Sequence, residues 1–422
     1  KPKDLIAQER ENDPLLKLKH ALLHEGMSES EWETMGRDAE SLVRATVDRA
    51  LSRPEPEAKT VSRFAFAESE VQLVGGLAAE GHRFPKRNEA PTSEPTRTNM
   101  LTTIRRTLQA ELSTNPKLLV FGEDVGPKGG VHAATQGLQE EFGENRVFDP
   151  SLSEEGIVGR AVGMAICGLM PAVEIQFRKY ADPATEQLNN CGTMRWRTAN
   201  KFAAPIVVRM PGGFSKCGDP WHSVCGESIW CHQVGWQVDL PSNAEDEAGL
   251  LRAALRSNNP TIFFEHRHLL DAPWARRPYP GNDYIVPFGK GTITRDGDQL
   301  TVVTWGAMVE RCELAAESVQ NSLDISAEVI DLRTLSPWDK DIVLSSIKKT
   351  RRCLIVHEDG ATCGFGAEVA AVVAKEAFFN LDAPVERLTT PDIPIPYNGG
   401  LMEALIPGIE TIAARMQSIA EA

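Results

Sequence analysis

The sequence predicts an α/β chain, with two segments that each form a mostly parallel sheet covered by helices, behind an N-terminal helical tail. Three observations carry this expectation. Short apolar runs alternate with helical patterns from about residue 118 to residue 377, and such alternation implies parallel strands joined by helices. Residues 81–99, GHRFPKRNEAPTSEPTRTN, are polar and rich in Pro and Thr, which reads as a linker. Residues 13–53 carry apolar residues at helical spacing. The expected division is therefore 1–80 helical tail, 81–99 linker, 100–287 first sheet domain and 288–422 second sheet domain.

In the tail, Asp13-Pro14 suits a helix start, since Asp caps and Pro fits the first turn. Leu15, Leu18 and Leu22 share a face, and Gly26 is placed to end the helix. A second helix starts at Ser28 or Ser30, each followed three residues later by Glu31 or Glu33 in a capping-box pattern. Trp32, Met35, Ala39, Leu42, Val43, Val47 and Ala50 form its stripe, and Pro54 stops it. Two helices alone do not bury such stripes, so the tail is expected to pack on the rest of the chain or on a partner.

In the first sheet domain the strands are Leu118–Phe121, Ala172–Gln176, Pro205–Met210 and Thr261–Glu265. Ser242-Asn243-Ala244-Glu245 opens a helix carrying Leu250, Leu251, Ala254 and Leu255. In the second, Thr301–Thr304, Ala327–Ile330 and Cys353–His357 are strands, while Ala307–Val319 and Ala367–Ala377 are helices.

The chain of 422 residues has 41% hydrophobic and 25% charged residues, an ordinary globular composition. A net charge of −14 argues against a nucleic-acid surface, which needs clustered Lys and Arg. No apolar run approaches the length of a membrane span, and the first residues lack a signal-peptide core. The eight cysteines are scattered and read as reduced thiols. The expected location is the cytoplasm of a bacterium, or the mitochondrial matrix of a eukaryote.

Three stretches carry chemistry. In SLSEEGIVGRAVGMAICG (151–168), Ser153 caps a helix whose first turn holds Glu154 and Glu155. Gly156, Gly159, Gly163 and Gly168 follow at roughly helix-face spacing, each costing about 1 kcal/mol against alanine. Close approach of another backbone or helix explains them. In AVEIQFRKYADPATEQLNN (172–190) a strand ends near Gln176, with Phe177 and Tyr180 in the loop beyond. Ligands of open parallel sheets bind at such carboxyl ends, where Tyr180 would stack on a flat ring or pack at a domain boundary. In RMPGGFSKCGDPWHSVCGESIWCH (209–232) another strand runs into a Gly-rich loop carrying His222, a candidate proton-transfer group. Cys217, His222, Cys225, Cys231 and His232 offer a rival metal reading, but their spacing matches no CxxC or HxxxH pattern. P-loop, strand-borne GxGxxG, GxSxG and GDG diphosphate–metal motifs are all missing from the sequence.

Taken together with FGEDVG (121–126), SEEGIVG (153–159), VEIQF (173–177), SNNPTIFFE (257–265), EVIDLRTLSPWD (328–339) and VHEDGATCGFGAE (356–368), residues 97–422 resemble the β subunit of the thiamin diphosphate-dependent decarboxylating component of 2-oxo acid dehydrogenase complexes. DPLLKLKHALLHEGMSESEWE (13–33) is similar to the C-terminal tail of the partner α subunit, as in an α–β fusion. The resemblance implies a transketolase-like pyrimidine-binding domain followed by a transketolase C-terminal domain. It implies Glu154 at the cofactor's pyrimidine nitrogen, Gln176 and Tyr180 lining the pyrimidine, and His222 as proton donor or oxyanion stabiliser. The glutamate's task suits a carboxyl partly withdrawn from water, with its pKa raised. The implied reaction is oxidative decarboxylation of a 2-oxo acid with acyl transfer to a lipoyl carrier. This chain would give the pyrimidine-side half of the site, inactive without an α-type domain that holds the diphosphate and Mg²⁺. Further implied are a homodimer, docking to a lipoyl acyltransferase core, and a structural K⁺ at main-chain carbonyls of Ala254, Ser257 and Asn259.

Two positions depart from the family. Arg160 stands in the glycine-rich helix where an apolar residue is usual, and Val224 follows His222-Ser223 where glutamine is usual. Two rival functions stand beside the leading one: transketolase-like transfer of a two-carbon unit, and a non-catalytic assembly subunit docking the acyltransferase core.

Overall fold

A computed structural model describes residues 1–68, 90–215 and 220–422. Positions 81–89 of the expected linker, and Cys217, lie outside the described residues. The chain divides into two compact units, Lys1–Ser62 and Arg63–Ala422.

The first unit holds α1 (Lys3–Glu11), α2 (Pro14–His24) and α3 (Glu29–Leu51). Local chemistry sets their ends. Asp13 caps α2, its carboxylate accepting from the Leu15 N–H at 2.8 Å, with Pro14 in the first turn. Gly26 has φ +101° and closes α2, its N–H donating to the Leu23 carbonyl while that of Met27 donates to Leu22. Of the two serines, Ser28 caps α3: the Glu31 N–H donates to Ser28 Oγ at 3.2 Å, and the Glu31 carboxylate accepts from the Ser28 N–H at 2.7 Å. Trp32 is half-buried, whereas Met35, Leu42, Val43 and Val47 remain exposed.

The second unit runs through β1 (Arg97–Thr98), α4 (Met100–Thr114), β2 (Leu118–Gly122), α5 (Leu138–Phe142), β3 (Val147–Phe148), α6 (Glu154–Ile166) and β4 (Met170–Glu174). It continues with α7 (Thr185–Arg197), β5 (Val207–Gly212), α8 (Glu227–Cys231), β6 (Gln237–Asp239), α9 (Ala244–Leu255), β7 (Thr261–His266) and β8 (Arg277–Pro278). Then follow β9 (Thr292–Arg295), β10 (Leu300–Thr304), α10 (Met308–Leu323), β11 (Ala327–Asp331) and β12 (Thr334–Ser336). Last come α11 (Lys340–Thr350), β13 (Cys353–Gly360), α12 (Gly366–Glu376), β14 (Glu386–Thr390), α13 (Gly399–Leu405) and α14 (Ile409–Ala420).

Among the described residues, a seven-stranded sheet has the order β12-β6-β7-β5-β4-β2-β3, parallel except for β12 on β6. A five-stranded sheet has the order β14-β13-β10-β11-β9, parallel except for β9 on β11. β1 pairs with β8 in a small ribbon. The mostly parallel α/β class expected from the alternation is thus present twice. Both sheets lie in one compact unit, and β12, from beyond residue 288, lends its strand to the edge of the first sheet.

The parallel strands β2, β4, β5 and β7 are buried on both faces, the sheet arrangement that helices cover on both sides. One core cluster includes Trp230, Trp236, Trp305, Leu335 and Trp338, residues drawn from both sheets' segments. Within the first sheet, fully buried Arg209 on β5 lies 2.6 Å from Glu265 on β7 and 2.9 Å from Glu174 on β4. Burial pushes Glu174 up to about 7, opposed by the Arg209 charge.

Candidate functional site at the strand carboxyl ends

Parallel register brings the last residues of β2, β4, β5 and β7 to one edge of the first sheet, where the loops that follow can meet a ligand. β2 ends at Gly122, so Glu123 is the first residue past it. β4 ends at Glu174, which puts Gln176, Phe177 and Tyr180 in the turn beyond. β5 runs out at Gly212 toward the loop bearing His222, and β7 stops one residue before Arg267.

These side chains meet. Gln176 is buried and donates its amide to the Glu123 carboxylate, while its own Oε1 is buried without a hydrogen-bond partner among the described residues. The Phe177 ring stacks on His222 with centroids 4.2 Å apart and planes at 22°. Tyr180 Oη lies 3.0 Å from His222 Nε2, and its ring meets His222 edge-on at 5.6 Å. Tyr180 thus has its hydroxyl bonded to His222 and its ring beside Phe177. His222 itself sits in the short turn Pro220–Ser223.

Glu154 is the first residue of α6 and is half-buried; Ser153 caps the helix, accepting from the Gly156 N–H at 3.2 Å. Its charge reaches Glu123. The Glu123 carboxyl is raised above the usual range, first by burial, then by the charges of Asp124 and Glu154, with the Gln176 bond opposing. Of the glycines of α6, a Cβ on Gly156 would meet Ser153 Oγ at 2.8 Å and one on Gly159 only the Gln187 side chain at 3.6 Å, while one on Gly163 would have nothing within 4 Å among the described residues. Arg160, on the same helix, is exposed.

Ala254, Ser257 and Asn259 stand elsewhere, at the end of α9 and in the loop before β7, which is the amino end of that strand. The Ala254 carbonyl accepts from the Ser257 N–H at 3.1 Å, Ser257 Oγ donates to Gln237 at 2.9 Å, and Asn259 Oδ1 accepts from the Ala67 N–H at 2.7 Å. Among the described residues no group of three or more His, Cys, Asp and Glu side chains is placed to hold a metal, so Cys225, Cys231 and His232 form no such centre with His222 there. Burial pushes the Cys225 and Cys231 thiols well above their ordinary range. No described helix is long and apolar enough to cross a membrane.

Sequence reasoning passed over Glu123, His132 and Arg267. His132 packs edge-on to Phe177 at 5.4 Å, and burial, then the Arg267 and Arg209 charges, lower it to about 4. Glu123 and Arg267 each follow a strand directly, so the rule that singled out Gln176 applies to them as well.

The transketolase pyrimidine binding domain matches residues 97–273, and the transketolase C-terminal domain matches 289–412. The chain is 40% identical over 337 residues to the 2-oxoisovalerate dehydrogenase subunit beta of Pseudomonas aeruginosa, covering 76% of this chain and 95% of the relative. It is 38% identical over 300 residues to the pyruvate dehydrogenase E1 component subunit beta of Bacillus subtilis, covering 71% and 91%. In fold it is similar to a solved chain described as a split-gene transketolase, inactive beta4 tetramer, with TM-score 0.62, 18% identity, and coverage of 76% of this chain and 98% of that one.

Proposed function

The chain belongs to the β-subunit family of the decarboxylating component of 2-oxo acid dehydrogenase complexes, and from that premise we propose that it gives the pyrimidine-side half of a thiamin diphosphate site. In this reading the site oxidatively decarboxylates a 2-oxo acid and passes the acyl group to a lipoyl carrier. The observation that carries it is the meeting of Gln176, Phe177, Tyr180 and His222 beyond β4 and β5, with Glu154 in electrostatic reach through Glu123.

The residues present suit a thiamin pyrimidine. Gln176 Oε1 is a buried acceptor with no hydrogen-bond partner among the described residues, and an aminopyrimidine carries N–H donors. Glu154 would hold the proton at the pyrimidine ring nitrogen, and Gln176 and Tyr180 would line the ring. When bound, the cofactor supplies a carbon nucleophile and an electron sink for loss of CO₂. His222 would move a proton at Nε2, the atom that Tyr180 Oη contacts. The diphosphate and Mg²⁺ belong in this reading to an α-type partner, without which the chain does not turn over. A lipoyl acyltransferase core and a second copy of the chain complete the assembly. A structural K⁺ would take main-chain carbonyls at Ala254, Ser257 and Asn259.

The deciding experiment reconstitutes the chain with an α-type subunit, thiamin diphosphate and Mg²⁺. Lipoyl-linked turnover of a 2-oxo acid panel is expected, together with loss of at least about 100-fold on Glu154→Gln. Full activity in that variant sinks the assignment. Transfer between sugar phosphates without lipoyl-linked turnover would establish the two-carbon-transfer reading instead. Absence of calorimetric thiamin diphosphate binding would favour a non-catalytic assembly role.

A further inference from the structure

Arg267 is the first residue past β7, and its N–H donates to the Gly212 carbonyl at 2.8 Å, which ties it to the carboxyl end of β5. Its side chain turns into the aromatic cluster. Nη1 donates to the His222 carbonyl at 2.6 Å, and the guanidinium lies 5.2 Å from the centre of the Phe177 ring. Nε is buried without a hydrogen-bond partner among the described residues. Two fully buried arginines of this unit are neutralised: Arg209 by Glu174 and Glu265, and Arg252 by Glu111. Among the described residues no carboxylate pairs with Arg267.

A half-buried cation without a counter-ion is costly unless an anion arrives. The field around it has consequences in the structure, since the Arg267 charge is one of the causes that hold nearby His132 neutral. The position is also the one where a parallel sheet presents ligands, beside the histidine expected to move protons. An arginine there matches a planar carboxylate in shape and charge.

We propose that Arg267 binds the carboxylate of the 2-oxo acid substrate, so that the reacting carbonyl is presented beside His222. This rests on the decarboxylase reading above. It assigns Arg267 a role in substrate binding and selects for substrates with an anionic group next to the keto carbon. The residue also braces the His222 backbone, so the test must separate charge from bracing.

Two variants do so. Arg267→Gln keeps a donor for the His222 carbonyl and removes the charge, whereas Arg267→Lys keeps the charge. In the reconstituted enzyme, KM for the best-used member of a panel of pyruvate, 2-oxobutyrate and 2-oxoisovalerate is compared with the inhibition constant of diacetyl, whose acetyl group replaces the carboxylate of pyruvate. The expected result is a KM raised about 10–100-fold in Arg267→Gln, a smaller change in Arg267→Lys, and an unchanged diacetyl constant. Equal weakening of acid and diacetyl, or no change in either, overturns the proposal and leaves Arg267 a brace. Calorimetric titration of the reconstituted protein with the same acids gives a reading independent of turnover. If wild type and Arg267→Gln bind them equally, or wild type does not bind them, the proposal fails. Absence of lipoyl-linked turnover despite charge-dependent binding would sink the decarboxylase reading alone.

Discussion

Tyr180 holds His222 through one hydroxyl, 3.0 Å from Nε2, while its ring keeps a separate contact with Phe177. Tyr180→Phe removes only the first. Turnover is expected to fall roughly tenfold, the worth of one hydrogen bond in such a site, with the melting temperature unchanged. Arg209 is a different case, a structural charge. Arg209→Met would strand Glu174 and Glu265 in the sheet interior, and a loss of about 3–5 kcal/mol is expected by urea unfolding. At this scale Gln176, Tyr180 and His222 were legible because each follows a strand end in a loop that carries few other polar rings. Glu123 and Arg267 obey the same placement but were not legible. A charged residue beside a strand reads as solvated, and their partners Gln176 and His222 lie 53 and 45 residues away.

The helices were mostly written in their ends. Asp13, Ser28, Ser153 and Asn243 cap the helices that follow them, as their short polar side chains suggest. Ser28→Ala is expected to cost about 1 kcal/mol locally, seen as faster amide exchange in the first turn of α3. The glycines of α6 were legible as a special face, yet the described residues supply nothing within 4 Å of a Cβ at Gly163. In the homodimer reading a second copy covers that face. Gly163→Leu should then shift sedimentation toward monomer without lowering the helix content, whereas an unchanged oligomer would place the seam elsewhere. The short strands β6 and β12 escaped the sequence pattern. Three residues carry no periodicity, and β12 is a strand only because β6 offers it a free edge.

Across the second unit, the two sheets are joined by buried polar contacts that no single segment contains. Trp305 Nε1 donates to Glu227 at 2.9 Å, Ser242 Oγ donates to Asp331 at 2.5 Å, and His266 Nε2 lies 2.6 Å from Glu358. Burial, then the Asp359 charge, pushes Glu227 up to about 8; burial, then the Asp246 charge, pushes Asp331 up to about 7. Carboxyls raised in the fold bind protons that the unfolded chain has released. Their contribution is therefore full below about pH 4 and is lost as pH rises through about 7 to 8. Urea midpoints are expected to be lower at pH 9 than at pH 6, and Glu227→Gln, which keeps an acceptor for Trp305, should flatten that fall. An equal fall in the variant would remove Glu227 from the account.

The sequence by itself determined the α/β class, the helix caps, the two loops that carry Gln176, Tyr180 and His222, and the glycine face behind Glu154. These follow from local signals: periodicity, capping chemistry and residues placed just past strand ends. Only the tertiary structure decided that Tyr180 bonds His222, that Glu123 shares Gln176 and feels Glu154, that Arg267 faces Phe177 without a carboxylate among the described residues, and that β12 completes the first sheet. Each of those depends on strand order and register, which bring distant residues to one edge, and on burial, which sets the charge they carry there.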